Sequence, residues 1–244
     1  MLELKNICFS AEEDGVKKDI LKNINLTIDE RFVAITGPNG GGKSTLIKII
    51  AGVLEPTSGQ NLFNGTEITH MSITERARLG VSYAFQQPVR FKGITVFDLI
   101  TLASGRKLSI AEACEYLSEV GMCARDYVNR EVNGSLSGGE LKRIEIATIL
   151  ARGTELSLFD EPEAGIDLWS FGSLITVFEN LYKKIKGNII IISHQERILN
   201  IADRIIVLAG GVVSGDGTKE QVMPSLMRTS NICTKLAENE GGMR

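Results

Sequence analysis

The stretch FVAITGPNGGGKSTLIKIIA, residues 32–51, decides how the chain folds. Phe32–Thr36 is a short apolar run that reads as a buried strand. Lys43–Ala51 carries Leu46, Ile47, Ile49 and Ile50 at helical spacing and stops at Gly52, a good helix end. Between them, Gly37-Pro38-Asn39-Gly40-Gly41-Gly42-Lys43-Ser44-Thr45 fits G-x-x-x-x-G-K-[ST] in the strand-to-helix setting that this pattern requires. Small residues let successive backbone N–H groups face one phosphate, and the helix that follows aims the positive end of its dipole at the same anion. Lys43 is then able to reach the β- and γ-phosphates and Ser44 to ligate Mg²⁺. No G-x-G-x-x-G register runs through these glycines, so a dinucleotide loop fits less well.

Working outward, Leu2–Phe9 and Ile20–Ile28 alternate apolar and polar residues, as half-buried hairpin strands do, and the charged stretch from Ser10 to Lys18 around Gly15 reads as their loop. Ser72 with Glu75 is a capping-box pattern opening a short helix. Val96–Ala103, Ile110–Val120 and the run from Gly139 to about Ala151 have the helical period. Beyond them, Leu156–Phe159, Asn188–Ile192, Arg204–Leu208 and Val212–Ser214 read as strands, with a helix over Trp169–Lys186. Strands alternating with helices imply an α/β fold with a mainly parallel sheet. Residues 1–86 and 152–244 form the expected core, and residues 87–151 an inserted helical subdomain.

The 244 residues carry 27 Lys and Arg against 30 Asp and Glu, a formal charge of -3. Such a balance disfavours a nucleic-acid partner bound by phosphate neutralisation. Apolar residues at 43 % exclude disorder of the whole chain. The apolar runs are too short for a membrane helix, and the N-terminus lacks a secretory pattern, so a soluble cytoplasmic protein is expected. Cys8, Cys114, Cys123 and Cys233 are scattered, which fits reduced thiols and neither zinc nor disulfide frameworks.

Two further motifs carry chemistry. Leu156–Phe159 runs into Asp160-Glu161, where a strand-end aspartate is placed to hold Mg²⁺ and the next glutamate to act on water as general base. Ser137-Gly138-Gly139-Glu140 opens a helix and is a second anion-binding N-terminus. One γ-phosphate does not need two such sites in one chain, so the second is expected to complete the site of another subunit. In order, the phosphate loop, Gln86, Ser137-Gly138-Gly139, Asp160-Glu161, Asp167 and His194 resemble the ATP-binding cassette (ABC) ATPase family over nearly the whole chain.

That resemblance implies a RecA-like core with an N-terminal antiparallel β subdomain and an inserted helical subdomain. It also implies an ATP-dependent homodimer sandwiching two ATP molecules with Mg²⁺. Each nucleotide would lie between the Gly37–Thr45 loop of one chain and Ser137, Gly138 and Gly139 of the other. Gln86 would touch Mg²⁺ or water, Asp167 would cross the interface, and His194 would bond the γ-phosphate and hold water in line with Glu161. The aromatic that stacks on adenine has no clear counterpart; Phe9 and the aliphatic Val16 are the nearby choices.

Within the family, the spacing from Ser44 to Ser137 leaves no room for the long coiled coil of chromosome-maintenance relatives, and one cassette does not fit two-cassette translation factors. Ser193-His194-Gln195-Glu196-Arg197-Ile198-Leu199 and Ala84-Phe85-Gln86-Gln87-Pro88-Val89 are similar to SufC, the ATPase of iron–sulfur cluster assembly, as are Glu140 and Lys142-Arg143. Pro162 after Glu161 is instead typical of transporter motors. The expected partner is a SufB/SufD-like scaffold, or alternatively a transmembrane permease subunit with this chain membrane-peripheral.

Overall fold

The computed structural model describes residues 1–226 apart from Asp14, Pro88 and Asp167. Asp167 and Cys233 therefore lie outside the described residues. The chain begins with a long hairpin, β1 (Leu2–Glu13) against β2 (Val16–Ile28). Its polar tip is not the loop that composition suggests. Ser10 stands opposite Asp19, Ala11 opposite Lys18 and Glu12 opposite Lys17, and Ser10 Oγ donates to Asp19 Oδ1 at 2.7 Å. Complementary cross-strand pairs sustain a ribbon that has no apolar face to bury.

Apolar alternation breaks after Leu4 and after Leu21, where Asn6 and Asn23 take φ of 53° and 55°. The pairing register shifts there, and the shift returns Ile7 and Ile24 to the core, both almost fully buried. β3 (Phe32–Thr36) leads through the glycine loop into α1 (Lys43–Ala51). β4 (Ser58–Phe63) and β5 (Thr66–Glu67) follow, and the antiparallel sheet has the order β2-β1-β4-β5.

After α2 (Ile73–Arg78) and β6 (Val81–Ala84) come four consecutive helices: α3 (Val96–Ser104), α4 (Ile110–Glu119), α5 (Ala124–Tyr127) and α6 (Gly138–Arg152). The chain then runs through β7 (Leu156–Asp160), α7 (Leu168–Lys184), β8 (Asn188–Ile192), α8 (Glu196–Ile201), β9 (Arg204–Ala209) and β10 (Val212–Gly217). The second sheet has the order β10-β9-β3-β8-β7-β6, parallel except for the β9–β10 hairpin.

Every residue of β3 and β7 is buried, because both faces of this sheet are covered. Phe32, Ala34, Phe159, Ile189 and Ile191 pack with the helices of residues 96–202 on one face. Val33, Ile35, Leu158, Ile190 and Ile192 pack with α1 and the antiparallel sheet on the other. The period of two along each strand thus divides one run of apolar residues between two cores. The carboxyl ends of β3, β6, β7 and β8, lying side by side, bring residues 37, 85, 161 and 193 to one edge. In an open α/β sheet that edge is where ligands bind. No helix among the described residues is long and apolar enough to cross a membrane.

Candidate functional site

The glycine loop is shaped by contact with β9. A Cβ on Gly37, whose φ is 128°, would stand 2.2 Å from the Leu208 carbonyl oxygen, and one on Gly41 would stand 2.6 Å from it. Only glycine fits these two positions, which leaves the loop's outer side to its amides. The loop, Asn39 to Thr45, lines a cavity of about 480 Å³ together with Ala11, Lys18, Ile20, Gln86 and Glu161.

Lys43 folds back over its own loop, donating from Nζ to the carbonyls of Gly37 and Pro38 at 2.8 and 2.9 Å. Burial pulls its pKa below the ordinary range, against the opposing pull of Glu161 and Asp160. Ser44 Oγ donates to Asp160 Oδ1 at 2.9 Å, and Tyr83 Oη to Asp160 Oδ2 at 3.2 Å. Asp160 is 1 % exposed. Burial raises its pKa, the two hydrogen bonds oppose that rise, and the neighbouring Glu161 adds to it. A buried carboxylate beside a serine hydroxyl and a like charge is a site that a hard cation would relieve, and an all-oxygen donor set suits Mg²⁺.

Glu161 has φ 46°, a left-handed conformation unusual for a non-glycine residue. Its amide donates to the Ile192 carbonyl at 3.1 Å, tying the end of β7 to that of β8. The bend presents the carboxylate to two groups from other elements. Gln86 Nε2 donates to Glu161 Oε2 at 2.9 Å, and His194 Nε2 lies 3.6 Å from Oε1. Lys43, Ser44, Gln86, Asp160, Glu161 and His194, far apart in sequence, are therefore brought together.

Ser137, Gly138 and Gly139 do not line this cavity. They open α6, where Ser137 Oγ accepts from the Glu140 amide and the Glu140 carboxylate accepts from the Ser137 amide. Tyr127 Oη also donates to Glu140, with Arg130 at 3.8 Å. Burial would raise the Glu140 pKa, but the Tyr127 and Ser137 bonds outweigh it and lower the value. Neither Phe9 nor Val16 reaches the cavity. Phe9 packs against the antiparallel core and Val16 is 67 % exposed, so the surfaces left for a base are Ala11, Ile20 and Lys18.

Sequence reasoning missed two positions. Tyr83 lies on β6 three residues before Gln86, and only the sheet order reveals that it faces Asp160. Lys142, 4 % exposed on α6, donates to the carbonyls of Ala164 at 2.5 Å and Glu161 at 3.5 Å, so the helix opened by Ser137 grips the turn after β7.

The ABC transporter family model matches residues 21–164. The uncharacterized ABC transporter ATP-binding protein MJ0035 of Methanocaldococcus jannaschii is 40 % identical over 228 residues, 89 % of this chain and 90 % of the relative. The probable ATP-dependent transporter ycf16 of Cyanophora paradoxa is 34 % identical over 236 residues, 90 % of this chain and 89 % of the relative. The dimeric post-hydrolysis structure of the ATP-binding cassette MJ0796 with ADP and Pi superposes at a TM-score of 0.78 with 26 % identity, covering 89 % of this chain and 98 % of that one. A family match that runs from β2 through the glycine loop to the turn after Glu161, on this fold, makes the chain an ATPase of the ABC transporter ATP-binding cassette family.

Proposed function

We propose that this chain is the ATP-hydrolysing subunit of a membrane transporter and works as a pair that closes on Mg²⁺-ATP. The observation that carries this reading is an apolar cavity of about 290 Å³ beside β6, lined by Val53, Ile73, Tyr83, Phe85, Val89 and Leu99 among others. Phe85 and Val89 are 42 % and 47 % exposed, and apolar surface held open in this way marks an interface. The floor of the cavity continues into the nucleotide site. Tyr83 lines it and bonds Asp160, while Gln86, adjacent to Phe85, bonds Glu161. A partner segment seated there biases the groups that meet ATP. The transporter names of MJ0035 and ycf16 supply the class of partner, a membrane permease subunit that keeps this chain membrane-peripheral.

In this reading the amides of residues 37–45 bind the phosphates, and Lys43 exchanges the Gly37 and Pro38 carbonyls for phosphate oxygens. Ser44, Asp160 and Gln86 would hold Mg²⁺, which when bound neutralises phosphate charge. Glu161 takes a proton from the attacking water, with Gln86 and His194 fixing its two oxygens. Ser137, Gly138, Gly139 and Asp167 serve the nucleotide held by the other copy. ATP then touches both chains, and hydrolysis removes the bridge, a population shift driven by differential contact. We read residues 87–151 as an inserted helical subdomain, set on the core formed by the described residues of 1–86 and 152–226.

A second reading keeps the chemistry and replaces the permease by a SufB/SufD-like scaffold for iron–sulfur clusters. It rests on the SufC-like residues 84–89 and 193–199 and on Glu140 and Lys142, whose side chains close the α6 cap and grip the 161–164 turn. The test is capture of partners by tagged Glu161→Gln protein with ATP. A polytopic membrane protein recovered in detergent supports transport. A soluble complex carrying iron and sulfide overturns it in favour of assembly.

A further inference from the structure

Glu163 has no part in the chemistry above, yet its carboxylate sits at the root of the His194 loop. Its Oε1 accepts from Ser193 Oγ at 2.5 Å and from the His194 amide at 3.4 Å. Ser193 is completely buried; its amide donates to the Ile35 carbonyl at 3.2 Å, and its hydroxyl accepts from the Gln195 amide at 3.0 Å. Glu163 belongs to the same tight turn as Glu161, closed by Ala164 N to Glu161 O at 2.9 Å and Ile166 N to Glu163 O at 3.1 Å. The other oxygen, Oε2, is buried with no hydrogen-bond partner among the described residues. A half-satisfied buried carboxylate is costly and calls for a reason.

We propose that Glu163 is a positioning residue for hydrolysis: through Ser193 and the His194 amide it fixes the imidazole against the Glu161 carboxylate. One turn then carries both the carboxylate that meets water and the clamp for the histidine facing it. The spacing of 3.6 Å between His194 Nε2 and Glu161 Oε1 is set by this clamp and not by the long, partly exposed His194 side chain alone. Because Glu163 does not line the nucleotide cavity, its loss acts on turnover and leaves nucleotide affinity in place.

The test compares Glu163→Ala, Glu163→Gln and Ser193→Ala with the unaltered chain, measuring kcat and KM for ATP and the Kd of ATP separately. Misplacing a reacting group by about 1 Å costs on the order of 100-fold, so Glu163→Ala should lose about 10- to 100-fold in kcat with Kd within about twofold. Glu163→Gln keeps an acceptor for Ser193 while removing the charge that faces Lys142, and should recover to within about threefold of the parent. Ser193→Ala should fall between the two. An unchanged kcat in Glu163→Ala overturns the proposal, as does a parallel loss of ATP binding. Glu163→Gln as slow as Glu163→Ala also overturns it, since the charge and not the clamp would then matter. If Glu163→Ala does not fold, unchanged turnover in Ser193→Ala does the same.

Discussion

The floor of the apolar cavity holds one acid, Glu145 on α6, and its replacement makes a quantitative prediction. Glu145 Oε1 accepts from the Phe85 amide at 3.2 Å. Burial pushes its pKa from 4.5 up to about 7, against the smaller downward pulls of that bond and of Lys142. An acid whose pKa is raised by folding gives full stability below its unfolded pKa and loses it as pH rises through the folded one. A shift from 4.5 to about 7, at 1.36 kcal/mol per unit, makes the ionised form cost about 3 kcal/mol. Glu145→Gln keeps the acceptor for Phe85 and cannot ionise. Its stability relative to the parent should therefore be flat below about pH 3.5, climb from about pH 4 to about pH 7, and level off by about pH 8 at an advantage of about 3 kcal/mol. Urea unfolding of both proteins at four pH values and constant ionic strength measures the difference directly, and other titrations cancel. A chain of this size moves by about 2–4 °C per kcal/mol, so the melting points should separate by about 6–12 °C at pH 8. A difference independent of pH would refute the reasoning, because no desolvated carboxylate would then be ionising.

Three other outcomes follow from the same geometry. Arg76 is 1 % exposed and donates to the carbonyls of Ile49, Ile50, Thr69 and Met71; Arg76→Met should cost about 3–5 kcal/mol in urea unfolding, since several buried acceptors lose their donor together. Glu161→Gln should retain ATP and trap the dimer in size-exclusion runs while hydrolysis falls by about two to four orders of magnitude, and normal hydrolysis would remove Glu161 as base. Lys43→Ala should weaken ATP binding by about 10- to 100-fold in titration calorimetry, the worth of one or two charge-assisted hydrogen bonds to phosphate.

The glycine loop was legible because its constraint is local. Leu208 forbids a side chain at Gly37 and Gly41, and that prohibition is written in the residue type. The all-buried strands were legible for the same reason, since burial on both faces demands an unbroken apolar run. What hydropathy misjudged was the hairpin tip, where Glu12 opposite Lys17 supports a strand without burying anything. β5, α5 and α8 are too short for a period to declare itself. Phe9 is aromatic and upstream of the loop, yet it also ends an alternating run, and the structure gives it the ordinary strand role, partly buried against the antiparallel core. Nothing in the spacing of Arg76 or Lys142 records the distant carbonyls to which their side chains donate. Family-level chemistry was legible and the branch was not. The residues of the His194 loop suggest an assembly ATPase when read alone, whereas the relatives MJ0035 and ycf16 carry transporter names.

Partner identity is hard to read here for a physical reason. Hydrolysis needs particular atoms at particular distances, so in the proposed chemistry Lys43, Ser44, Asp160 and Glu161 are constrained one by one. The cavity beside β6 needs only an apolar wall of the right depth, a requirement that Val53, Phe85, Val89 and Leu99 meet without specifying what enters. The link between the two is narrower than either. Tyr83 and Gln86, separated by two residues on one strand end, each hold a different carboxylate of the site, Asp160 and Glu161. Any occupant that shifts this strand end by a fraction of an ångström must alter both hydrogen bonds together. In the proposed function, a permease segment seated in the cavity therefore acts on the ATPase through these two side chains.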